Sequence, residues 1–257
     1  MLSIIIVSFN ARADLERCLA SLHDAPPHMP HEILVVDNAS TDGSAGAARR
    51  WPDVRVIENR ANVGFSAANN AGIRASRGDL LLLLNSDTVA PAGAIDTLVA
   101  ELAAESDAAV AGPRLVDDQG RPELSFGRTI SPINEWRQKR IARDAATVDR
   151  LTRQRTYPDW VSGACLLVRR ADAEAVGLLD EQFFMYTEDV DFCASIRALG
   201  RRVLFTPAAE VVHLRGRSAA AAPTATNRAY RESQLAFYRK HHPFWVPILR
   251  LYLKLRG

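Results

Sequence analysis

Three carboxylates stand within four residues of the chain, at Glu188, Asp189 and Asp191, directly after a bulky run at 183–186. Like charges at this spacing repel one another unless a cation or an exchangeable proton is present. A carboxylate beside apolar rings is partly desolvated and becomes a stronger base, so one of the three could take a proton from a hydroxyl nucleophile. The same pattern is also typical of a helix N-terminus, with Thr187 as the N-cap.

Polar residues also follow three of the predicted strands at the point where each strand ends. Ser8 and Asn10 end the first strand, Asp37 ends the second, and Asn85 and Asp87 follow the fourth. Ligands of open parallel sheets bind beyond these carboxyl ends. Asp37 could accept a hydrogen bond from a pyrimidine ring N–H or a ribose hydroxyl. Neither a Gly-x-Gly-x-x-Gly fingerprint nor a P-loop is present, so side chains and a metal would have to hold a nucleotide.

Asp87 and His213 are the candidate metal ligands. A histidine ends a short predicted strand at 210–213, and one carboxylate with one imidazole would suit Mn²⁺ or Mg²⁺ if diphosphate oxygens and water complete the shell. Each residue also has an ordinary interpretation, Asp87 as a turn residue and His213 as a polar side chain with a satisfied hydrogen bond.

Strand and helix patterns alternate through the first half of the chain, which is typical of a parallel sheet flanked by helices. The predicted strands are 2–7, 32–36, 54–58 and 80–84, and the predicted helices are 10–22, 66–76 and 92–104. Five consecutive leucines at 80–84 predict a central strand that is buried on both faces. The fold class is therefore α/β, with a mostly parallel sheet.

The second half of the chain is less regular. Residues 113–158 are polar, Arg-rich and weakly periodic, and such stretches are usually functional loops or lids. After them we predict strands at 161–169, 202–205 and 210–213, a helix at 189–199, a flexible connector at 218–226 and a helix at 227–241.

The C-terminal tail, 244–256, has two interpretations, and the sequence leaves both open. Its basic residues alternate with Leu, Tyr and Trp, as they do in helices that lie at a membrane surface. A terminal helix that packs on its own domain or on a dimer partner would show the same pattern.

Composition limits the remaining function classes. The 257 residues suit one catalytic domain, and a net charge of +2 gives no bulk attraction to nucleic acid. Three well-separated cysteines in apolar surroundings predict buried, reduced thiols in a cytoplasmic protein. No apolar run approaches the roughly 18 residues of a membrane span.

Taken in order, the motifs resemble those of glycosyltransferase family 2, the inverting enzymes of GT-A fold, and most closely its rhamnosyltransferase-type members. The resemblance covers roughly residues 2–218. The residues that carry it are Val-Ser-Phe-Asn10, Val-Val-Asp37-Asn-Ala-Ser-Thr-Asp-Gly-Ser44, Asn62-Val-Gly-Phe-Ser-Ala-Ala-Asn69, Leu-Asn85-Ser-Asp87, Ser162-Gly-Ala164, Tyr-Thr187-Glu-Asp-Val-Asp191 and His213-Leu-Arg-Gly-Arg-Ser218.

The resemblance implies a role for each matched residue. Asp37 would contact the nucleobase, and Asn10 and the turn from Asn62 to Gly64 would lie along the nucleoside. Asp87 matches the last acid of the family's Asp-x-Asp motif and His213 its later metal-binding histidine. Asp189 would be the general base, and Glu188 would orient the acceptor or the base. Asn85 stands where the family has its first acid, which removes one negative charge while leaving an oxygen.

The resemblance also implies the partners and the layout of the chain. The donor would be a dTDP- or UDP-sugar such as dTDP-rhamnose, and the acceptor a hydroxyl of a glycan or a lipid-linked glycan of a bacterial surface polysaccharide. Residues 1–112 would form the nucleotide-sugar half, 113–218 the acceptor half, and 219–257 a linker and helical tail. A location on the inner face of the plasma membrane and a homodimer are the further expectations.

Two other functions fit acids at strand ends. A nucleotidyltransferase also holds a metal and a nucleotide there, but it would need a basic phosphate-binding loop after the first strand, and the sequence at 7–13 is a poor one. A nucleotide-sugar binding module without catalysis would keep the donor contacts and lack the base.

Overall fold

A computed structural model describes residues 1–214 and 223–255 of the chain. Its strands are β1 (Leu2–Ser8), β2 (His31–Asp37), β3 (Val54–Glu58), β4 (Leu80–Asn85), β5 (Thr88–Val89), β6 (Ala108–Val116), β7 (Phe126–Gly127), β8 (Trp160–Val161), β9 (Cys165–Arg169) and β10 (Arg202–His213). Its helices are α1 (Arg12–Asp24), α2 (Ser44–Ala48), α3 (Phe65–Ala75), α4 (Ala94–Ala103), α5 (Pro132–Ile141), α6 (Ala145–Thr152), α7 (Arg170–Ala175), α8 (Glu188–Ala198), α9 (Pro223–His241) and α10 (Val246–Leu255), with a 3₁₀ turn at Pro243–Trp245.

Eight strands form the main sheet, in the order β3-β2-β1-β4-β9-β6-β10-β5. The pairs β3–β2, β2–β1, β1–β4 and β6–β10 are parallel. Strand β9 runs antiparallel to both of its neighbours, and β5 runs antiparallel to β10. Six of the eight strands therefore point the same way, which confirms the prediction of a mostly parallel α/β sheet.

The central strands carry apolar side chains on both faces, and the side-chain period of two sends alternate residues into two separate cores. Ile4 and Ile6 of β1 pack in one core with α1 and α4. Ile5, between them, packs in the other core with α3 and α8. Leu81, Leu82, Leu83 and Leu84 of β4 are at most 2% exposed. Each fully buried Leu or Ile contributes about 1.5–3 kcal/mol, so the middle of the sheet is the most stable part of the fold.

Three predictions for the strands and loops in the second half of the chain need correction. Residues 113–158 are not one long loop, because β6 extends to Val116 and two helices, α5 and α6, follow. The strand predicted at 161–169 is split into β8 and β9 by Ser162–Ala164. The strands predicted at 202–205 and 210–213 are a single strand with a register shift between Thr206 and Glu210. A local apolar pattern does not reveal these features, because sheet pairing decides them.

The flexible connector predicted at 218–226 is partly contradicted. Residues 215–222 lie outside the described part of the chain, and so does most of the motif that follows His213. From Pro223 onward the chain is helical, so α9 begins four residues before its predicted start. Proline suits the first helical turn because its missing N–H has no partner there.

Helices α9 and α10 pack beside α8. Phe237, Tyr238 and Leu249 from these helices share a third apolar cluster with Phe183 and Val190. The carboxylate of Asp191 is 2% exposed, and it accepts a hydrogen bond from Lys240 Nζ at 2.9 Å and lies 2.6 Å from His241 Nε2. Asp191 therefore anchors the C-terminal extension.

Two expectations about the whole chain can be compared with this structure. Cys18, Cys165 and Cys193 are buried and free, as predicted. No helix in residues 1–214 and 223–255 has the length and apolar character needed to span a membrane.

Gly72 in α3 and Gly46 in α2 form a matched pair of helical glycines that tests the packing of the sheet. A Cβ at Gly72 would lie 2.5 Å from Ile5 Cγ2 and 3.1 Å from Val36 Cγ2, whereas a Cβ at Gly46 meets nothing within 4 Å. Gly72→Ala should lower the free energy of unfolding by about 1–3 kcal/mol because β-branched neighbours cannot move aside. Gly46→Ala should leave it unchanged or raise it by up to about 1 kcal/mol.

Urea unfolding followed by circular dichroism measures both values. Equal effects of the two substitutions would contradict the packing of α3 on β1 and β2.

Candidate active site

A cavity of about 480 Å³ opens at the edge of the sheet where β1 and β4 end. Its size is within the usual range for small-molecule sites, about 300–1,000 Å³. Seven of the predicted site residues line it, although they come from four separate stretches of the chain. They are Asn62, Gly64, Asn85, Asp87, Glu188, Asp189 and His213.

Asp37 and Ser8 lie side by side just beneath this edge and do not line the cavity themselves. Their Cα atoms are register partners in β2 and β1, and both residues are at most 3% exposed. Asp37 Oδ2 accepts the backbone N–H of Ser40 at 2.9 Å. Among the described residues, Asp37 Oδ1 and Ser8 Oγ have no hydrogen-bond partner. Two buried acceptors of this kind suit a ligand donor, because an unpaired buried polar group is otherwise costly.

Asn10 lies in a shallow depression next to the cavity and shapes the loop after β2. Its backbone has a left-handed φ of 50°, which asparagine tolerates better than most residues. Its side-chain Oδ1 accepts the backbone N–H of Thr41 at 2.8 Å, and its own backbone N–H donates to Ser40 Oγ at 2.9 Å. The visible contacts of Asn10 therefore hold the 38–42 loop in place.

Asn38, which our sequence analysis missed as a separate site residue, organises the turn that carries Asn62 and Gly64. Its amide Nδ2 donates to Asn62 Oδ1 at 2.8 Å and to the Gly64 carbonyl at 3.2 Å. Its Oδ1 accepts from Asn59 Nδ2 and from the Val63 N–H, each at 3.1 Å. All of these contacts are internal, so the turn is rigid before any ligand binds.

Gly64 makes the close approach between this turn and the loop at 183–187. Its φ is 88°, and a Cβ there would lie 2.6 Å from the carbonyl oxygen of Phe184. The next residue, Phe65, donates its backbone N–H to the same oxygen at 2.7 Å. Only glycine fits this position without moving the loop that carries the catalytic candidates.

His213 lies between two carboxylates at one side of the cavity. Its Nε2 is 3.4 Å from Asp87 Oδ1, and its Nδ1 is 3.2 Å from Glu123 Oε2. Burial works to lower the pKa of His213, but the two carboxylates outweigh it and raise this pKa to about 9. The imidazole is therefore a cation at neutral pH, and Glu123 fixes its ring orientation. Sequence analysis missed Glu123, which follows Pro122 in an irregular stretch without a motif.

The residues around His213 fit a divalent cation in part. Two ligands at right angles on Mn²⁺ or Mg²⁺ lie about 3 Å apart, close to the separation of Asp87 Oδ1 and His213 Nε2. Asn85 Oδ1 is also buried without a partner in the described part of the chain. Within residues 1–214 and 223–255, no group of three or more His, Cys, Asp or Glu side chains is arranged to hold a metal. Substrate or water oxygens would have to complete the shell.

Backbone strain is concentrated in the loop that leads to Glu188 and Asp189. Tyr186 and Thr187 are consecutive residues with left-handed φ values of 71° and 63°. Each costs of order 1 kcal/mol or more, and such strain persists at sites where packing enforces it. The predicted N-cap hydrogen bond of Thr187 is absent, and its Oγ1 has no partner among the described residues. The helix start at Glu188 agrees with the sequence, whereas its cap does not.

Glu188 and Asp189 are adjacent but have different surroundings. Glu188 is 8% exposed, and its Oε2 has no partner in the described residues. Burial, which is the larger cause, and the charge of Asp189 together raise the pKa of Glu188 to about 8. Asp189 accepts backbone N–H bonds from Gly163 at 3.0 Å and from Val190 at 2.8 Å.

Burial is also the largest effect on Asp189 and raises its pKa, although the N–H bonds from Gly163 and Val190 oppose the rise. These bonds favour the ionised form, and Glu188 receives no comparable support. Hydrogen bonding therefore favours ionisation at Asp189 over ionisation at Glu188 within this pair of adjacent carboxyls. Gly163 comes from the Ser162–Ala164 break between β8 and β9, so this interruption of the strand serves the site.

A solved structure with the same architecture shows the class of fold. A mannosyltransferase from Pyrobaculum calidifontis, solved with GDP-Man and Mn²⁺, matches with a TM-score of 0.66 over 97% of this chain and 68% of that chain, at 19% identity. At this identity the likeness concerns the fold alone. The fold is that of the GT-A glycosyltransferases, as predicted.

The chain belongs to glycosyl transferase family 2, whose profile matches residues 3–176. It is similar to the N-acetylglucosaminyl-diphospho-decaprenol L-rhamnosyltransferase of Mycobacterium tuberculosis, with 31% identity over 95% of this chain and 86% of that protein. It is also similar to a low-salt glycan biosynthesis hexosyltransferase of Haloferax volcanii, with 28% identity over 76% of this chain and 61% of that protein. The protein is therefore a glycosyltransferase. The sequence analysis favoured this class over a nucleotidyltransferase and over a binding module without catalysis.

Replacing Glu123 tests the electrostatic arrangement around His213. Glu123→Gln removes one of the two carboxylates that stabilise the imidazolium, so the pKa of His213 should fall from about 9 towards its ordinary value. An NMR titration of the His213 ring resonances without added metal measures it. Glu210 lies on the same strand as His213, but its carboxylate pairs with Arg114. Glu210→Gln is therefore the control and should leave the pKa of His213 unchanged. An equal change of the His213 pKa in both variants would contradict the contact between Glu123 and His213.

Proposed function

We propose that this protein is an inverting glycosyltransferase that moves rhamnose or a similar sugar from a nucleoside-diphosphate sugar to a hydroxyl of a lipid-linked glycan. The product would be part of a bacterial cell-wall or surface polysaccharide. The similarity to a rhamnosyltransferase whose named substrate is a diphospho-decaprenol supports the lipid-linked acceptor. A dTDP- or UDP-sugar is the proposed donor.

One observation carries this proposal: Asp87, Asp189 and His213, which are far apart in the sequence, line a single cavity. Sugar transfer needs charge compensation for a leaving diphosphate on one side of the anomeric carbon and a base on the other. Asp87 and His213, which would hold a cation on the diphosphate side, and Asp189, which would accept the proton on the other side, would supply both.

The proposed nucleoside site extends from the cavity towards the end of β2. Asp37 Oδ1 and Ser8 Oγ are buried acceptors without partners in the described residues, and a ring N–H of the base would satisfy one of them. The rigid turn from Asn62 to Gly64, with Asn10 behind the neighbouring loop, would shape the nucleoside site. The family resemblance supports the same assignment.

Asp87 and His213 would hold Mn²⁺ or Mg²⁺ together with oxygens of the donor diphosphate. When bound, such a cation neutralises the negative charge that develops on the leaving diphosphate. Asn85 would add a neutral oxygen at this position. His213 must lose its proton to become a ligand, so metal and proton compete for Nε2.

Asp189 would act as the general base. Its two oxygens each accept one backbone N–H and keep a further lone pair for the acceptor hydroxyl. As the acceptor oxygen forms its bond to the anomeric carbon, the bond to the diphosphate breaks and the proton passes to Asp189. Attack from the face opposite the diphosphate inverts the anomeric centre. Protonated Glu188 would position the acceptor by donating a hydrogen bond.

The acceptor half would be built from residues 113–218, as the sequence suggested. A second cavity of about 630 Å³ adjoins the site and is lined by Arg121, Glu123 and Trp160 among others. Because Glu123 also contacts His213, this cavity lies next to the place where the leaving group would be held. An aromatic ring beside charged groups is a common setting for sugars. We propose that the reaction takes place on the cytoplasmic face of the plasma membrane.

The Asp189→Asn variant tests the base. The amide keeps the shape of the side chain and cannot accept a proton, so kcat should fall about 10²–10⁴-fold. Donor affinity should stay close to that of the wild type, because Asp189 is assigned to the acceptor. Product formation from dTDP-rhamnose and UDP-sugars, with calorimetric donor binding, measures both. The exposed Asp53→Asn variant is the control, and unchanged kcat in Asp189→Asn would refute the role.

The Glu188→Gln variant tests the protonated partner. Glutamine resembles the neutral carboxyl group, so turnover near pH 7 should stay within a few-fold of the wild type. Above the Glu188 pKa of about 8 the wild type should lose activity, because a second buried negative charge repels the donor diphosphate. The variant should lack this alkaline decline in its pH profile of kcat/KM. An identical decline in both proteins would contradict the assignment.

A further inference from the structure

Helix α5 and the C-terminal segment around α10 together form the most apolar exposed area of the described residues. Among large apolar side chains, the five most exposed all lie on these two segments. They are Phe244 at 93%, Ile133 at 62%, Trp136 at 61%, Leu251 at 60% and Ile248 at 58%. We call residues 132–143 and 243–255 the α5–α10 surface. A concentration of this kind marks an interaction site, whereas scattered exposed side chains need no explanation.

The two segments are neighbours in space and share a cavity of about 760 Å³. Aromatic or aliphatic side chains and cations line it together: Trp136, Trp245, Ile248, Lys139, Arg140 and Arg143. The guanidinium of Arg140 lies 5.7 Å from the ring centre of Trp136. The surface therefore combines large apolar groups with positive charge, and it is not an exposed piece of core.

Helix α10 is apolar on two opposite faces. Val246 and Leu249 are buried in the cluster with α9. At 100° per residue, Ile248 and Leu251 project from the other side of the helix, where they are exposed. The cations Arg250 and Lys254 lie between the two faces. An apolar face of a helix is normally covered, so the outer face of α10, opposite the buried one, needs a partner.

The charge of the α5–α10 surface selects the kind of partner. Its six cations are Arg137, Lys139, Arg140, Arg143, Arg250 and Lys254, and its one acid is Glu135, which gives a net charge of +5. The whole chain carries +2, so all other residues together carry −3. Glu135 offsets only Lys139, whose Nζ lies 3.8 Å from Glu135 Oε2, and it also accepts hydrogen bonds from Gln234 and Tyr238 of α9.

A second copy of this chain is a poor partner for this surface. A two-fold symmetric contact sets a surface against itself, which would oppose two charges of +5. An anionic lipid bilayer offers the complementary charge together with an apolar interior for Trp, Phe and Leu side chains. The homodimer considered from the sequence is therefore disfavoured at this surface.

We propose that the α5–α10 surface docks the protein onto an anionic lipid bilayer, with the apolar side chains inserted at the level of the headgroups and the cations against lipid phosphates. Helix α5 is an essential half of this surface, although its sequence was assigned to the acceptor half and showed no amphipathic pattern. The proposal does not depend on the identity of the donor or the acceptor, because lipid binding can be measured without turnover.

Helix α9 connects the docking surface to the active site. Gln234 of α9 donates to Glu135 of α5 at 2.8 Å. One residue earlier, Ser233 Oγ donates to the carbonyl of Met185 at 2.7 Å, in the loop that lines the cavity. The bilayer surface would therefore have a defined position relative to Asp189, as a lipid-linked acceptor requires.

Vesicle co-sedimentation of the full chain tests the proposal. Binding should be strong to phosphatidylcholine vesicles that contain phosphatidylglycerol, weak to phosphatidylcholine alone, and weakened by added salt, because the lipid contacts are partly electrostatic. The Trp136→Ser/Ile248→Ser variant should bind at least about 10-fold more weakly, since it removes two inserted side chains. Leu199→Ser, at the exposed apolar C-cap residue of α8, is the control and should bind like the wild type.

A second pair of variants separates the charge from the apolar contact. Lys139→Glu/Arg143→Glu should abolish the preference for anionic vesicles. Arg49→Glu/Arg77→Glu makes the same change of net charge at two exposed residues outside the α5–α10 surface and should keep that preference. Thermal unfolding shows whether each variant is folded.

The unmodified protein provides an independent measurement. Its tryptophan fluorescence should shift to shorter wavelength on addition of anionic vesicles and be quenched by brominated lipids, because Trp136 and Trp245 enter the interface. Three results would overturn the proposal. The first is no binding to either kind of vesicle, and the second is an equal loss of vesicle binding in the surface variants and their controls. The third is a dimer in solution that the Trp136→Ser/Ile248→Ser variant dissociates. Vesicle binding is measured without turnover, so these outcomes can be read even if no tested donor supports sugar transfer.

Discussion

The apolar character of β1 and β4 on both faces is the constraint on which the rest of the structure depends. Strands of this kind must be covered on both sides, so helices alternate with them and the connections cross over the sheet. Crossover connections make β3, β2, β1 and β4 parallel, and parallel neighbours end at the same edge. Ser8, Asp37 and Asn85 therefore come together at this edge. The ligand site is a consequence of how the core is covered.

The carboxyl groups of the active site lie in different environments, which favour different ionisation states. Glu188 and Asp189 are adjacent carboxylates, yet backbone N–H groups from Gly163 and Val190 stabilise only the ionised form of Asp189. Glu188 is buried, its Oε2 has no hydrogen-bond partner in the described residues, and its pKa is raised to about 8. On the other side of the cavity, Asp87 and Glu123 stabilise the positive charge of His213. The arrangement is set by donors and burial, not by residue type alone.

The C-terminal helices are part of the architecture of the site. Asp191, one turn after the proposed base, holds Lys240 and His241 of α9. Ser233 holds the loop at Met185, and Gln234 holds α5. Helix α9 thus connects the strained loop before Glu188 with the α5–α10 surface.

The sequence by itself determined the α/β class, the order of the first elements, the polar ends of β1, β2 and β4, and the helix that starts at Glu188. These features depend on local information, namely the period of the apolar pattern and the residue that ends each strand. The motif spacing also identified the family, because the ordered motifs are linear in the chain. The roles assigned to Asp37, Asp87, Asp189 and His213 stay predictions.

Only the tertiary structure decided the features that depend on contacts between distant segments. Glu123 is 90 residues from His213, and nothing near Pro122 indicates that the two meet. The antiparallel insertion of β9, the continuity of β10 and the helices within 113–158 follow from sheet pairing and packing. The docking surface combines α5 with α10, about a hundred residues apart. Local sequence patterns show which face of an element is apolar. The folded chain decides what packs against that face, and it also sets the pKa values that depend on those contacts.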